Sequence, residues 1–220
     1  MKNYDARING DLFHAALFAG RTFGNYALDV SAGYARGWND AYRNVVFPGY
    51  WTFGNRASFY QDIWTIRSQI GKVWQLRNRT RLVSGIALDY AGVHGSSFEE
   101  SGDYTALRLE SSTYHSLELP ISLTLDKTYC VYGTKWTPYI SGAWTPELLG
   151  GHSSTTASFV TRDVIGAFET RTLRSIGSYG SMVAGFKREH HATTVEVDYA
   201  FDFARNYEEH NMALSLRKCF

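Results

Sequence analysis

Between Tyr114 and Asp126 the chain reads YHSLELPISLTLD, and every second residue from Leu117 to Leu125 is aliphatic: Leu117, Leu119, Ile121, Leu123 and Leu125. Ser116, Glu118, Pro120, Ser122 and Thr124 alternate with them. A period of two places these sets on opposite faces of a β-strand. The same division recurs in HHATTVEVDYAFDFA, where Val195, Val197, Tyr199, Phe201 and Phe203 oppose Thr194, Glu196, Asp198, Ala200 and Asp202. It recurs again in NYALDVSAGYARGW, where Tyr26, Leu28, Val30, Ala32 and Tyr34 share a face, and in RLVSGIALDY, where Leu82, Ile86, Leu88 and Tyr90 oppose Gly85, Ala87 and Asp89. Strands of a soluble sandwich alternate as well, so the faces alone leave open which side meets water.

Strands are predicted at 11–21, 25–38, 59–76, 80–93, 113–127, 136–146, 177–187, 192–204 and 210–220. Helical periodicity is weak throughout. The gaps fall into two sets that alternate along the chain. Those at 22–24, 77–79, 128–135 and 188–191 are short, and those at 39–58, 94–112 and 147–176 are long, with 205–209 a short member of the second set. Short turns at one end and long loops at the other is the ordering of a transmembrane β-barrel, whose outer surface is apolar and whose lumen is polar. Tyr34, Trp38, Trp64, Trp74, Tyr90, Trp144 and Tyr199 are then expected in aromatic belts at the two membrane–water boundaries.

Composition narrows the alternatives. With 15 Tyr, 13 Phe, 6 Trp and only 4 Pro the chain favours strands. A net charge of +1 gives no basic face for a nucleic-acid partner. Apolar runs are too short for a transmembrane helix, and the opening MKNYDARINGD has no apolar signal-peptide core. Cys130 and Cys219 fit no metal-binding spacing and are expected as two free thiols. Four strand positions separate them, so at ~4.8 Å per strand they sit too far apart for a disulfide.

The last residues, NMALSLRKCF, alternate up to a terminal phenylalanine. Phe220, Leu216, Leu214 and Met212 resemble the terminal β-signal of bacterial outer-membrane proteins, the strand that the barrel-assembly machinery recognises; Lys218 departs from the usual apolar residue two before the end. Upstream, LVSGIALDYAGVHGSSFEESGDYTALRL, HSLELPISLTL, TPYISGAWTPEL and the closing segment from Gly180 resemble the autotransporter β-domain. Gly85, Tyr90, Glu100, Gly102, Pro138, Trp144 and Tyr199 stand at the motif positions. The resemblance implies an all-β, antiparallel, up-and-down transmembrane barrel of twelve strands, an inner helix, and a secreted upstream passenger that the barrel anchors and exports. With nine strands counted, about 9–10 of the implied twelve, residues 1–220 are expected to be the C-terminal part of the barrel, without its first strands, plug helix and passenger. It also implies an outer-membrane location with a periplasmic C-terminus, and outer-membrane lipid, the assembly machinery and the passenger as partners.

Chemistry is not expected. His94 and His152 fall in predicted loops beside Ser96, Ser97, Ser153 and Ser154, yet no segment sets a nucleophile, base and orienting acid in order. His190 and His191 fall in a short turn without further ligands at metal-binding spacing. Glu99, Glu100, Glu118, Glu196, Asp198 and Asp202 are expected to make the lumen locally acidic, with Arg67, Lys187 and Arg217 as counter-charges. No catalytic residue, metal or cofactor is assigned. Two other readings stay open: an outer-membrane barrel enzyme or porin, and a soluble all-β binding protein.

Overall fold

The computed structural model describes residues 6–46, 52–149, 154–161, 166–171, 177–205 and 207–218. A single antiparallel meander dominates it. Its strands are β1 (Ala6–Phe23), β2 (Tyr26–Val46), β3 (Thr52–Gln75), β4 (Thr80–Gly95), β8 and β9 (Ser112–Glu118 and Ile121–Lys127), β11 (Thr134–Thr145), β14 (Tyr179–His190), β15 (Thr193–Ala204) and β16 (Tyr207–Lys218). Each pairs with its neighbours in chain order. Strands β8 and β9 act as one: Glu118 opposes Asp89 and Ile121 opposes Ile86 in an unbroken register. Pro120 interrupts the ladder between them because it has no N–H, although its carbonyl still accepts from Ala87 at 2.9 Å.

The sheet is curved and open. Among the described residues β1 pairs only with β2 and β16 only with β15. One end carries tight hairpins with left-handed turn residues: Gly24 between β1 and β2, Asn78 and Arg79 between β3 and β4, Tyr132 and Gly133 between β10 (Tyr129–Val131) and β11, and His191 between β14 and β15. These are the backbone signs of primed turns, whose twist matches that of the flanking strands. We call this the turn end and the opposite one the loop end.

The loop end differs from expectation. The gap predicted at 39–58 is mostly strand: β2 and β3 stay paired from Tyr26–Lys72 up to Val46–Thr52. The predicted loop 94–112 starts two residues later, since β4 runs to Gly95 and places His94 within a strand. His152 lies outside the described residues, as do Cys219 and Phe220. The two longer connections also carry strand. Their segments β5 (Phe98–Glu99), β7 (Leu107–Leu109), β12 (Ser154–Phe159) and β13 (Phe168–Arg171) form a small sheet in the order β13-β12-β7-β5, and β6 (Ser101–Gly102) pairs with β3. Cys130 is free and exposed on β10.

Burial is inverted relative to a water-soluble domain. The large side chains of the alternating face are open: Ile66, Ile70, Ile86, Leu88, Ile121, Leu123, Leu125 and Ile140 are all exposed. Buried groups include Asp62, Ser116, Asp126, Thr134 and Thr145.

Candidate functional site

The two faces of the sheet define the site. On the convex face, Tyr34 and Trp64 are direct cross-strand partners and their rings lie 6.1 Å apart. Tyr90 donates to or accepts from His115 at 2.8 Å close to the same level. Toward the turn end, Phe23 stacks on Tyr26 at 5.8 Å, and Trp74 and Trp136 are exposed. Between Trp64 and Trp74 the convex face of β3 carries Ile66, Ser68, Ile70 and Lys72, the last with its ammonium over the Trp74 ring at 3.7 Å. Ten residues at ~3.3 Å rise and a ~40° tilt span ~25 Å, the height of the apolar band of an outer-membrane barrel. Lys72 reaches along its stem to the aromatic boundary, as a long basic side chain does at such an edge.

The concave face is polar. Arg67 bonds Asp89 at 2.8 Å, and Arg81 grips Asp126 through two bonds of 2.9 Å. Lys187 bonds Glu189 at 2.6 Å. Tyr139 donates to Asp198 and, at 3.1 Å, to Glu196, and its ring lies over Gly185, where an added Cβ would stand 2.8 Å from it. A concave pocket of about 300 Å³ is lined by residues including Arg67, Gln69, Asp89, Ser122, Tyr179 and Asp202. Cross-strand pairs of opposite charge hold neighbouring strands in register while keeping the wall wettable.

At the loop end the connections fold back onto the extended β2–β3 hairpin. Arg43 grips Glu100 through Nη2 at 2.6 Å and Nε at 3.1 Å and also donates to the Thr105 carbonyl at 3.0 Å. Glu100 accepts a further bond from the Leu107 amide at 2.9 Å. Gly102 lies against β3 with φ of 155°, and an added Cβ there would meet the Gly54 carbonyl at 2.5 Å. Only glycine fits so close an approach. Phe98 stacks on Phe59 at 4.9 Å, and fully buried Asn55 donates to Thr105 at 2.8 Å.

The residues expected to matter thus separate into three groups. Tyr90, Pro138, Trp144 and Tyr199 belong to the convex face, Tyr199 with its hydroxyl 2.6 Å from His210. Gly85 belongs to the concave face, where an added Cβ would approach the Ser122 hydroxyl to 2.9 Å. Glu100 and Gly102 lie in the loop layer, so Glu100 does not line the wall as expected, and Glu99 pairs with Arg108 there at 2.9 Å. Met212, Leu214 and Leu216 project from β16 with 79%, 74% and 72% of their surface open. Among the described residues no group of three His, Cys, Asp or Glu side chains is arranged to hold a metal ion.

One cluster escaped sequence reading. Arg36 and Asp62 oppose each other on the convex face just beyond the Tyr34–Trp64 level. Arg36 makes two bonds to Asp62, of 2.7 and 2.8 Å, and Tyr34 donates a third at 2.5 Å. The Arg36 guanidinium, followed by the Tyr34 hydroxyl, holds the Asp62 carboxyl down at about 2 against an ordinary 3.8. Because the folded value is the lower one, the stabilisation is complete above the ordinary value and is lost as pH falls through about 2. Titration of the carboxyl by NMR is expected to show Asp62 ionised down to about pH 2, and Arg36→Gln is expected to return it toward the ordinary aspartate range. An unchanged titration in that variant would remove Arg36 as the cause.

The family model for the autotransporter β-domain matches residues 1–202. No curated protein matches the sequence. Among solved structures the fold is similar to the translocator domain of autotransporter NalP from Neisseria meningitidis, at 16% identity and a TM-score of 0.62, covering 97% of this chain and 68% of that one. The β domain of the Bordetella autotransporter BrkA aligns at 12% identity and a TM-score of 0.49, over 99% of this chain and 92% of that one. The transport unit of AIDA-I from Escherichia coli aligns at 10% identity and a TM-score of 0.39, over 98% and 84%.

Proposed function

Because this chain belongs to the autotransporter β-domain family, we propose that it works as the membrane-embedded part of a longer protein, anchoring an upstream passenger and exporting it to the cell surface. It is an outer-membrane translocator domain, and its convex band is the lipid contact. The concave wall forms part of the lumen through which the passenger leaves. Residues 1–220 then make up the C-terminal part of a barrel, and further strands join the open edges of β1 and β16. The turn end and the C-terminus face the periplasm, and the loop end faces outward. Met212, Leu214, Leu216 and Phe220 form the signal read by the barrel-assembly machinery. No catalytic group enters this reading.

The observation that carries it is the inversion of faces. An apolar convex face bounded by aromatic rows ~25 Å apart suits hydrocarbon on the outside, and a concave face built from Arg67–Asp89 and Arg81–Asp126 suits water on the inside. An edge strand exposed to lipid leaves backbone groups unpaired, which supports closure by additional strands.

The test is made in the full-length parent protein. Phe220→Asp, or deletion of Phe220, is expected to reduce surface display of the passenger to near background. A single terminal side chain contributes at most ~2–3 kcal/mol to a finished fold, so refolding in detergent is expected to survive. Normal surface display in both variants would refute the assignment of the signal, and wild-type protein that leaves the passenger in the periplasm would refute the translocator reading.

A further inference from the structure

The turn end of the concave wall holds a cleft of about 520 Å³. Arg79, Arg81, Lys135 and Lys187 line it, with Glu189 and Cys130. Arg81 is engaged by Asp126 at 2.9 Å, and both lysines reach Glu189, Lys187 at 2.6 Å and Lys135 at 3.9 Å. Arg79 makes no side-chain hydrogen bond or ion pair among the described residues. Four cations therefore meet three carboxylates, Asp126 on Arg81, Glu189 between the lysines and Glu196 opposite Lys187 in the register, and Arg79 is the cation left over.

Arg79 carries a second, independent sign. Its φ is 58°, in the left-handed region that glycine or asparagine occupies readily and a long side chain rarely does. The hairpin from β3 to β4 needs a left-handed residue there. An arginine at that position meets the turn's requirement less well than glycine would, and it aims a free guanidinium into the cleft. Unfavourable backbone geometry retained at a cleft is grounds for asking what the side chain binds.

The spacing of the cations selects the ligand. They come from the β3–β4 turn, β4, β11 and β14, which with β9 between them span three strand steps, ~14 Å at ~4.8 Å per step. That is too wide for one small anion. An extended polypeptide places same-side residues ~6.6 Å apart, so carboxylates on alternate residues reach across it. We propose that this cleft binds acidic segments of extended polypeptide as they enter the lumen from the turn end, with Arg79 as the cation that stays free to receive them. This rests on the wall being the export path. Farther along the same face, Glu118, Asp198 and Asp202 repel such a segment, so it dwells at the entrance.

The experiment uses the full-length protein folded in detergent, with a fluorescent peptide of alternating glutamate and glycine. The lysine–glycine peptide and inorganic phosphate serve as comparisons. The glutamate peptide is expected to bind, to weaken with added salt, and to slow maleimide labelling of exposed Cys130 severalfold. Arg79→Gly suits the left-handed turn, so the fold is expected to hold, as circular dichroism will verify, while peptide affinity falls at least fivefold. Three outcomes overturn the inference: equal binding of the lysine peptide, unchanged affinity in Arg79→Gly, or competition by phosphate as effective as that by the peptide. Each of these leaves the translocator reading intact, because that reading is judged on passenger display.

Discussion

Leu123→Arg is expected to destabilise the folded chain in a lipid bilayer by ~2–4 kcal/mol. Leu123 is 55% exposed on the convex face of β9, beside Gly142 of β11 and Ser84 of β4, midway between the two aromatic rows. In water the same change would be nearly neutral, within ~0.5 kcal/mol, since an exposed leucine has little to lose. In hydrocarbon the guanidinium must be dehydrated or carry water and head groups inward. Denaturant unfolding from vesicles measures the difference, with Leu123→Ala as the reference for lost apolar area. A neutral Leu123→Arg would place the convex face in water and return the chain to the soluble class. Lys127, four residues nearer the turn end on the same face, is the natural control: Lys127→Arg stands at the boundary and is expected to cost nothing measurable.

Glu100→Ala is expected to release the loop layer without unfolding the wall. It removes two bonds to Arg43 and one to the Leu107 amide. Breaking a buried ion pair costs ~3–5 kcal/mol, and Arg43, whose side chain is 34% exposed, sets the expectation at the lower end, ~3 kcal/mol. Hydrogen exchange at the Ala106 and Leu107 amides is then expected to accelerate on the order of a hundredfold, with β14 and β15 unaffected. Equal exchange in the variant and the parent would show that pairing of β7 with β12 holds the loop by itself. Gly102→Ala should reproduce the release by another route, since the new methyl group collides with the Gly54 carbonyl.

The strands were legible in the sequence where the two faces meet different surroundings. From Tyr26 to Tyr34 the alternation is clear because β2 crosses the apolar band there, with the polar wall on its other face. Beyond Trp38 the strand continues through NDAYRNVV, but both faces stand clear of the band and neither demands apolar residues, so the period of two fades and the segment reads as loop. His94 was lost in the same way: GSS after it signals a turn, yet β3 holds the residue in register opposite Asp62. The Arg36–Asp62 and Arg43–Glu100 pairs join residues 26 and 57 positions apart. Nothing local marks such partners, and only the register of β2 on β3, with β6 paired along the other edge of β3, brings them together. Glu100 and Gly102 were singled out by motif, but their work in latching a loop to a strand could not be read from a one-dimensional pattern.

The unequal height of the sheet has a consequence for what leaves it. Strands β2 and β3 rise twelve residues past Trp64, ~30 Å of vertical reach at the same tilt, while β15 and β16 turn back between Ala204 and Tyr207, close to the aromatic boundary. The rim is therefore a slanted spout with a parapet on one side. In the proposed orientation, a polypeptide emerging from it is shielded along one flank and released over the low flank, so it leans toward the β15–β16 side from its first surface residues. The parapet, lifted clear of the lipid head groups, is the part of the barrel that an antibody would reach first.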